Sequence, residues 1–273
     1  MLVSECRLQV DSSPIVATKQ PPGRGDGSGQ APPGTLGTVR NAALLLHLLS
    51  EGPPYQQLTD LAERSGLSLP TAHRLLRSLV APGIVEQDPD SQRYSLGPEL
   101  VRLSERYLAR LSVVRTMAPY LVELRNTTKE TIQAALLMRD STVYVDRIEG
   151  EHVGDIFREP GRIRPALATA AGRLLAARAS DAVWTDAVQN GSPDGRITPA
   201  DRASWAAAPN LVTVHADDRW EAAVPVTPLG GDAVAAIAAT GSLERHSQEA
   251  VAERIVPQLA RAAAAVSRVI SHD

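Results

Sequence analysis

Cysteine occurs once in this chain, at Cys6, which excludes an intrachain disulfide and any multi-cysteine metal site. A chain without such staples suits a reducing compartment, and the cytoplasm is the expected location. Aromatic residues make up only 3% of the sequence. The apolar supply is mainly Ala, Leu and Val, which favours helices packed closely through small side chains. Lysine is restricted to Lys19 and Lys129, leaving arginine to carry the positive charge. No stretch approaches the ~20 consecutive apolar residues that a membrane helix needs. The first ten residues carry Glu5 and Arg7 among their apolar positions and lack the basic-then-apolar order of a secretory signal. No membrane partner is expected. A formal net charge of −3 gives no global attraction to nucleic acid. Between Gly37 and Arg110, eight arginines stand against eight acidic residues. A nucleic-acid surface in that region would have to come from where the charges are placed.

What is present fits two domains, since 273 residues exceed one small domain. With 43% hydrophobic and 22% charged residues the usage is that of a globular protein able to bury a core. Residues 1–36 are expected to form a disordered tail, because the stretch from Ser12 to Thr35 is dominated by Pro, Gly, Ser and Gln. Its Gly-rich runs follow no strand and precede no nearby helix, so they are not read as a phosphate loop.

Order is expected from residue 37. Val39, Ala42, Ala43, Leu46 and Leu49 recur at helical spacing until Gly52-Pro53-Pro54. A short second helix starts at Gln57 or Thr59 and ends at Ser65-Gly66, and a third opens at Pro70 with an apolar stripe of Ala72, Leu75, Leu76, Leu79 and Val80. Ile84–Gln87 and Arg93–Leu96 read as a hairpin around Asp88-Pro89-Asp90-Ser91. Three helices and a hairpin over 37–97 predict a winged helix-turn-helix. A linker and dimerisation helix is assigned to 98–112, with Leu100, Leu103, Tyr107, Leu111 and Val114 on one side. The remainder, 113–273, reads as an α+β domain. A helix runs through Met117, Leu121 and Leu124, followed by a hairpin of Thr131–Met138 with Thr142–Ile148 and a helix over Ala170–Ala179. A second hairpin pairs Ala222–Thr227 with Ala233–Ala239, and a long helix closes the chain over Gln248–Ile270.

The third helix carries the chemistry. Its outward residues are Ser68, Thr71, His73, Arg74, Arg77 and Ser78, with Arg93 on the wing. Arginine can bridge a guanine edge or a phosphate, Ser and Thr can bind either, and a helix N-terminus attracts phosphate. His73 lies close to the apolar stripe, so a structural hydrogen bond and a DNA contact both stay open. Arg93 reads either as a phosphate contact or as an ordinary hairpin charge.

Over Gly37 to the C-terminus the sequence resembles the IclR family of bacterial regulators. In the first domain the similarity lies in Leu58-Thr59-Asp60-Leu61-Ala62, Gly66-Leu67, Thr71-Ala72-His73-Arg74-Leu75-Leu76 and Arg93-Tyr94-Ser95-Leu96-Gly97. In the second it lies in Val143-Tyr144-Val145-Asp146-Arg147 and in Pro165–Leu175, with Ala168-Thr169-Ala170-Ala171-Gly172-Arg173. The resemblance implies a GAF-like effector domain, dimers or tetramers, short palindromic operators on double-stranded DNA, and response to a small metabolite, often an organic acid. Repression is the favoured sign of regulation. The alternative is a regulator whose C-terminal domain only oligomerises. Leu69 departs from a frequent basic or polar residue, which implies one lost DNA contact, and Leu167 replaces a frequent His beside the effector site.

The resemblance places the effector pocket between the two hairpins, with Met138, Tyr144, Thr169, Ala170, Gly172, Trp220 and Glu221 as its residues. Thr169 and the backbone of Ala170 to Gly172 sit at a helix start able to receive an anion, and Met138 and Tyr144 supply an adaptable wall. Glu221 takes the approximate place of a family cysteine. Its carboxylate is expected to repel an acidic effector unless Arg147, Arg164 or Arg173 neutralises it, favouring a neutral or cationic ligand or a bulky one stacked on Trp220. In the alternative, Glu221 faces solvent and Trp220 fills the pocket. The histidine and acid groups of His215-Ala216-Asp217-Asp218 and of His152 with Asp155 match no metal or acid–base spacing. No catalysis, metal or cofactor is expected.

Overall fold

The computed structural model describes residues 37–151, 162–190 and 197–271. The tail assigned to 1–36, and His152 and Asp155, lie outside the described residues. The chain divides into two compact units, one running to Arg110 and the other beginning at Leu111.

The first unit contains helices α1 (Gly37–Glu51), α2 (Leu58–Ser65) and α3 (Leu69–Val80), strands β1 (Val85–Gln87) and β2 (Tyr94–Leu96), and helix α4 (Glu99–Leu108). Leu45, Leu48 and Leu49 of α1 bury against Leu61, Leu75, Leu76, Val85 and Tyr94. Each fully buried side chain of this size is worth ~1.5–3 kcal/mol, and a unit this small depends on all of them. Between α2 and α3 the chain turns at Gly66, whose φ of 68° is left-handed and whose N–H closes α2 on the carbonyls of Ala62 and Glu63. Helix α3 starts at Leu69 with Ser68 as its N-cap, so Pro70 sits at its second position rather than its first. The wing strands pair antiparallel with Val85 opposite Leu96, and Gln56 adds a bridge to Tyr94.

The linker helix is shorter than the expected 98–112. Helix α4 ends at Leu108, and Leu111 is extended at φ −83°, ψ 100° before α5 (Ser112–Thr128) begins. The apolar steps through Leu111 and Val114 therefore belong to two helices with a break between them.

The second unit adds strands β3 (Thr131–Met138), β4 (Ser141–Ile148) and β5 (Ile163–Pro165), a 3-10 turn (Ala166–Ala168), and helices α6 (Ala170–Arg178), α7 (Asp181–Asn190) and α8 (Pro199–Ala207). It continues with β6 (Leu211–Val214), β7 (Arg219–Val226), β8 (Ala235–Ser242), α9 (Gln248–Ala250), a π segment (Val251–Ile255) and α10 (Val256–Ile270). The strands form one six-stranded antiparallel sheet in the order β5-β4-β3-β8-β7-β6. Helices α5 and α10 pack on one face and α6 on the other, with α7 and α8 against α6. Ala135, Tyr144, Ala223, Ala236 and Ala238 bury against Ala170, Ala171, Leu174 and Leu175 of α6. Small residues on both sides let helix and sheet approach closely. The closing helix is interrupted where Pro257 follows: proline has no N–H to donate one turn back, and the hydrogen bonds widen into the π segment.

The strands β5 and β6 and the helices α7 and α8 were not among the expected elements. Helix α8 did carry a sequence signal, since Thr198 and Asp201 form a capping box around Pro199. Among the described residues no helix is long and apolar enough to cross a membrane, and no group of three His, Cys, Asp or Glu residues is placed to hold a metal ion.

Candidate functional site

In the first unit, the apolar stripe of α3 turns Ala72, Leu75 and Leu76 inward, which leaves Ser68, His73, Arg74, Arg77 and Ser78 exposed and Thr71 half-buried. No hydrogen bond or ion pair to the side chains of His73, Arg74, Arg77 or Arg93 is present among the described residues. His73 is thus on the open side of the helix rather than in the core. The hydroxyls of Ser68 and Thr71 bond each other at 2.8 Å. The Ser78 hydroxyl donates to the Arg74 carbonyl at 2.8 Å, so Ser78 presents an acceptor, not a donor, to anything beyond the helix. Arg93 precedes β2, after Gln92 at a φ of 58°. The wing turn is held by Asp88, which accepts from the N–H and hydroxyl of Ser91 at 2.6 and 2.7 Å. Those two donors hold the Asp88 carboxyl below the usual carboxylate range. Leu69, at the start of α3, is 46% exposed.

One residue that positions this face has no pattern of its own in the sequence. Gln56, only 3% exposed, donates its amide to the carbonyls of Leu48 and Leu49, both at 3.1 Å. Its side-chain oxygen accepts from Arg64 at 2.8 Å. It thereby satisfies the open carbonyl end of α1 and ties it to α2, while its backbone pairs with the wing. Helix α4 buries none of its residues. Val101, Leu103 and Tyr107 are exposed on it.

In the second unit, the cluster lies where α6 begins. Thr169 caps the helix by accepting from the Gly172 N–H at 2.9 Å and shares a 2.9 Å hydrogen bond with Thr142 on β4. A Cβ at Gly172 would overlap the Ala166 carbonyl and the Thr142 hydroxyl, so only glycine lets α6 sit this close to β4. Glu221, 2% exposed, reaches across from β7. Its Oε1 accepts from the Tyr144 hydroxyl at 2.8 Å, and its Oε2 accepts from the Ala170 N–H at 2.9 Å. A longer contact runs from the Ala171 N–H at 3.4 Å. His215 Nε2 stands 3.9 Å from Oε2. Burial, reinforced by the Glu221 charge, raises the Tyr144 phenol well above its ordinary value. Burial lowers His215, against the pull of Glu221.

Five of the seven residues assigned to the pocket, namely Tyr144, Thr169, Ala170, Gly172 and Glu221, therefore meet at the start of α6. Trp220 and Met138 do not. Trp220 alternates with Glu221 along β7 and so points to the opposite face. There it is fully buried and donates to the Ser242 carbonyl at 3.2 Å. Met138 likewise alternates with Leu137, which packs on the α6 side. The alternative that placed Glu221 toward solvent is corrected. Glu221 neither faces solvent nor stands as an unrelieved charge, because helix N–H groups and a phenol surround it. Of the arginines considered for neutralising it, Arg147 is bonded to Glu149 at 2.6 and 3.0 Å. Arg173 donates to the Leu167 carbonyl and lies over Trp205. Arg164 acts on Tyr144 and His215 through its field. Leu167 is buried with Ala166, Ala176 and Ala187 on the side of α7. Thr142 was missed, though it lies two positions before Tyr144 on the same face of β4; His215 was weighed only as a metal or acid–base residue, and its place beside Glu221 is set by β6, a strand with no clear alternation.

A winged helix-turn-helix with an open arginine face, followed in the same chain by an α+β sheet domain with a polar cluster at a helix start, defines a DNA-binding transcription regulator with an effector-binding domain. Residues 38–89 match the IclR helix-turn-helix domain and residues 105–202 the bacterial transcriptional regulator IclR C-terminal domain. The chain is 31% identical over 244 residues to the glycerol operon regulatory protein of Streptomyces griseus, covering 85% of this chain and 95% of that protein. A crystal structure of an IclR transcriptional regulator from Alicyclobacillus acidocaldarius superposes with a TM-score of 0.66 at 26% identity, over 87% of this chain and 99% of that one. An IclR homolog from Microbacterium hydrocarbonoxydans, complexed with 4-hydroxybenzoate, shares the fold at a TM-score of 0.64 and 24% identity, over 84% and 97%. The protein belongs to the IclR family.

Proposed function

We propose that this regulator represses transcription by binding a palindromic operator as a dimer or tetramer, and that a small metabolite held by the second unit modulates that binding. The observation that carries the DNA side is the set of exposed cationic side chains Arg74, Arg77 and Arg93, which make no hydrogen bond or ion pair among the described residues. A cation left unpaired on a rigid helix is preorganised for phosphate or a guanine edge. The uncovered apolar side of α4 supports self-association, since two-fold symmetry in the protein matches a palindrome in the DNA. Repression requires only that the bound oligomer exclude polymerase. That one family member is complexed with 4-hydroxybenzoate supports a ligand role for the second unit.

The test is fluorescence anisotropy on the DNA flanking the gene, with wild type and an Arg74→Ala, Arg77→Ala double variant at several salt concentrations. Loss of a base contact at either position weakens operator binding by ~1–3 kcal/mol, and loss of a phosphate contact weakens all sequences alike and flattens the salt slope. Unchanged binding by the double variant would refute the assignment. A reporter strain fixes the sign, and a metabolite screen for changed operator affinity tests sensing.

A further inference from the structure

The N-terminus of α6 already holds a negative charge, and that charge belongs to the chain. A helix start leaves N–H groups without intrahelical partners. Here the Gly172 N–H goes to the Thr169 hydroxyl at 2.9 Å, the Ala170 N–H to Glu221 Oε2 at 2.9 Å, and the Ala171 N–H points at Oε1 at 3.4 Å. The Tyr144 hydroxyl adds a third donor at 2.8 Å. We infer that Glu221 is the resident anion of this helix end, a specificity-determining side chain that keeps free carboxylates out of the α6 N-terminus.

Three features support this. The register of β7, with Glu221 opposite Thr240 on β8 and Thr213 on β6, fixes the side chain on the α6 face. The Thr142–Thr169 hydrogen bond at 2.9 Å ties the start of α6 to β4, and the missing Cβ of Gly172 permits that close approach. A tethered carboxylate also competes at an effective concentration far above that of a dissolved one. An incoming carboxylate would meet spent donors and a fixed like charge. The effector therefore presents a group other than a free carboxylate at this end of α6. This deepens the reading of the second unit as a sensor and rests on it for its regulatory meaning.

Replacing Glu221 by alanine removes a methylene and a carboxylate, which is the skeleton of acetate. Acetate is therefore the probe, with chloride at equal ionic strength as control. The full-length Glu221→Ala protein should melt lower than wild type and regain about 3–5 °C at ten times the acetate Kd, saturably. Wild type and Glu221→Gln, which keeps the space filled, should show no acetate-specific shift. Amide NMR on wild type provides a readout that does not depend on the variant folding: the Ala170, Ala171 and Gly172 signals should not move with acetate. Movement of those signals in wild type, or a folded Glu221→Ala protein that acetate does not stabilise, overturns the inference. Operator binding that responds to no metabolite would refute sensing and leave the acetate result standing.

Discussion

Replacing Gln56 by alanine should unfold the first unit out of proportion to the residue's size. The substitution takes two donors from the Leu48 and Leu49 carbonyls and an acceptor from Arg64. Each such hydrogen bond contributes about 0.5–1.5 kcal/mol net, and a buried group left unsatisfied costs about 1–3 kcal/mol. Partial entry of water offsets some of this, and a total of about 2–4 kcal/mol is expected. A unit of this size has a total stability of only about 4–11 kcal/mol, so much of its margin is lost. Gly52 makes the argument sharper. A Cβ there would lie 2.5 Å from the Gln56 amide carbon and nitrogen, so Gly52→Ala evicts the Gln56 amide and should be nearly as damaging alone. In a Gln56→Ala background the space is empty and the same change should cost less than about 0.5 kcal/mol. The pair must therefore be strongly non-additive in a double-mutant cycle. Urea unfolding of the full chain, with amide hydrogen exchange in α1 and α3 to assign the loss to this unit, measures it. Additive effects, or a Gln56→Ala cost below about 1 kcal/mol, would refute the capping role.

Other outcomes follow from single features. Leu103→Glu with Tyr107→Glu places charge on the uncovered side of α4 and should convert the proposed oligomer to a monomer by light scattering; an unchanged mass removes α4 from the proposed interface. Among the described residues the buried Tyr94 hydroxyl has no hydrogen-bond partner, so Tyr94→Phe should raise the melting temperature, by an amount equivalent to about 1 kcal/mol. A lowered melting temperature would indicate that the hydroxyl is satisfied. His215 is held below its ordinary value of 6.5, chiefly by burial. The unfolded chain then binds more protons than the folded one as pH falls through 6.5. The stability contributed by neutral His215 is complete above that pH and lost below it. His215→Gln should flatten the pH dependence of melting just below pH 6.5; an unchanged slope would assign it to other groups.

Some of the site was legible before any tertiary contact was known, for a definite physical reason. Period and punctuation are local. The stripe of Ala72, Leu75 and Leu76 decides which side of α3 is buried, and so which side leaves Arg74 and Arg77 outside. Gly66 sets the turn before it because a left-handed φ is a property of one residue. The Thr169 cap and the Ala170 helix start were likewise readable, since an N-cap acts within three positions. The same locality explains the error at the linker: steps of three and four continued through Leu111, and nothing in them marked the backbone break that starts a new helix at Ser112.

What the sequence alone determined is thus the helices and hairpin of the first unit, the family resemblance and the outward face of α3. What only the tertiary structure decided is how residues far apart in the chain meet. Glu221 lies 50 positions or more from Ala170, Ala171 and Tyr144, and no local pattern states that a strand's carboxylate will cap a helix on the facing layer. Trp220 and Glu221 are neighbours in sequence, but pleating sends them to opposite faces of the sheet, so a pocket built from both could not form. Gln56 has ordinary polar neighbours, and its role appears only once α1 and α2 fold back on it. Register, layer packing and the satisfaction of buried polar groups are properties of the assembled sheet and helices, and they assign these side chains their partners.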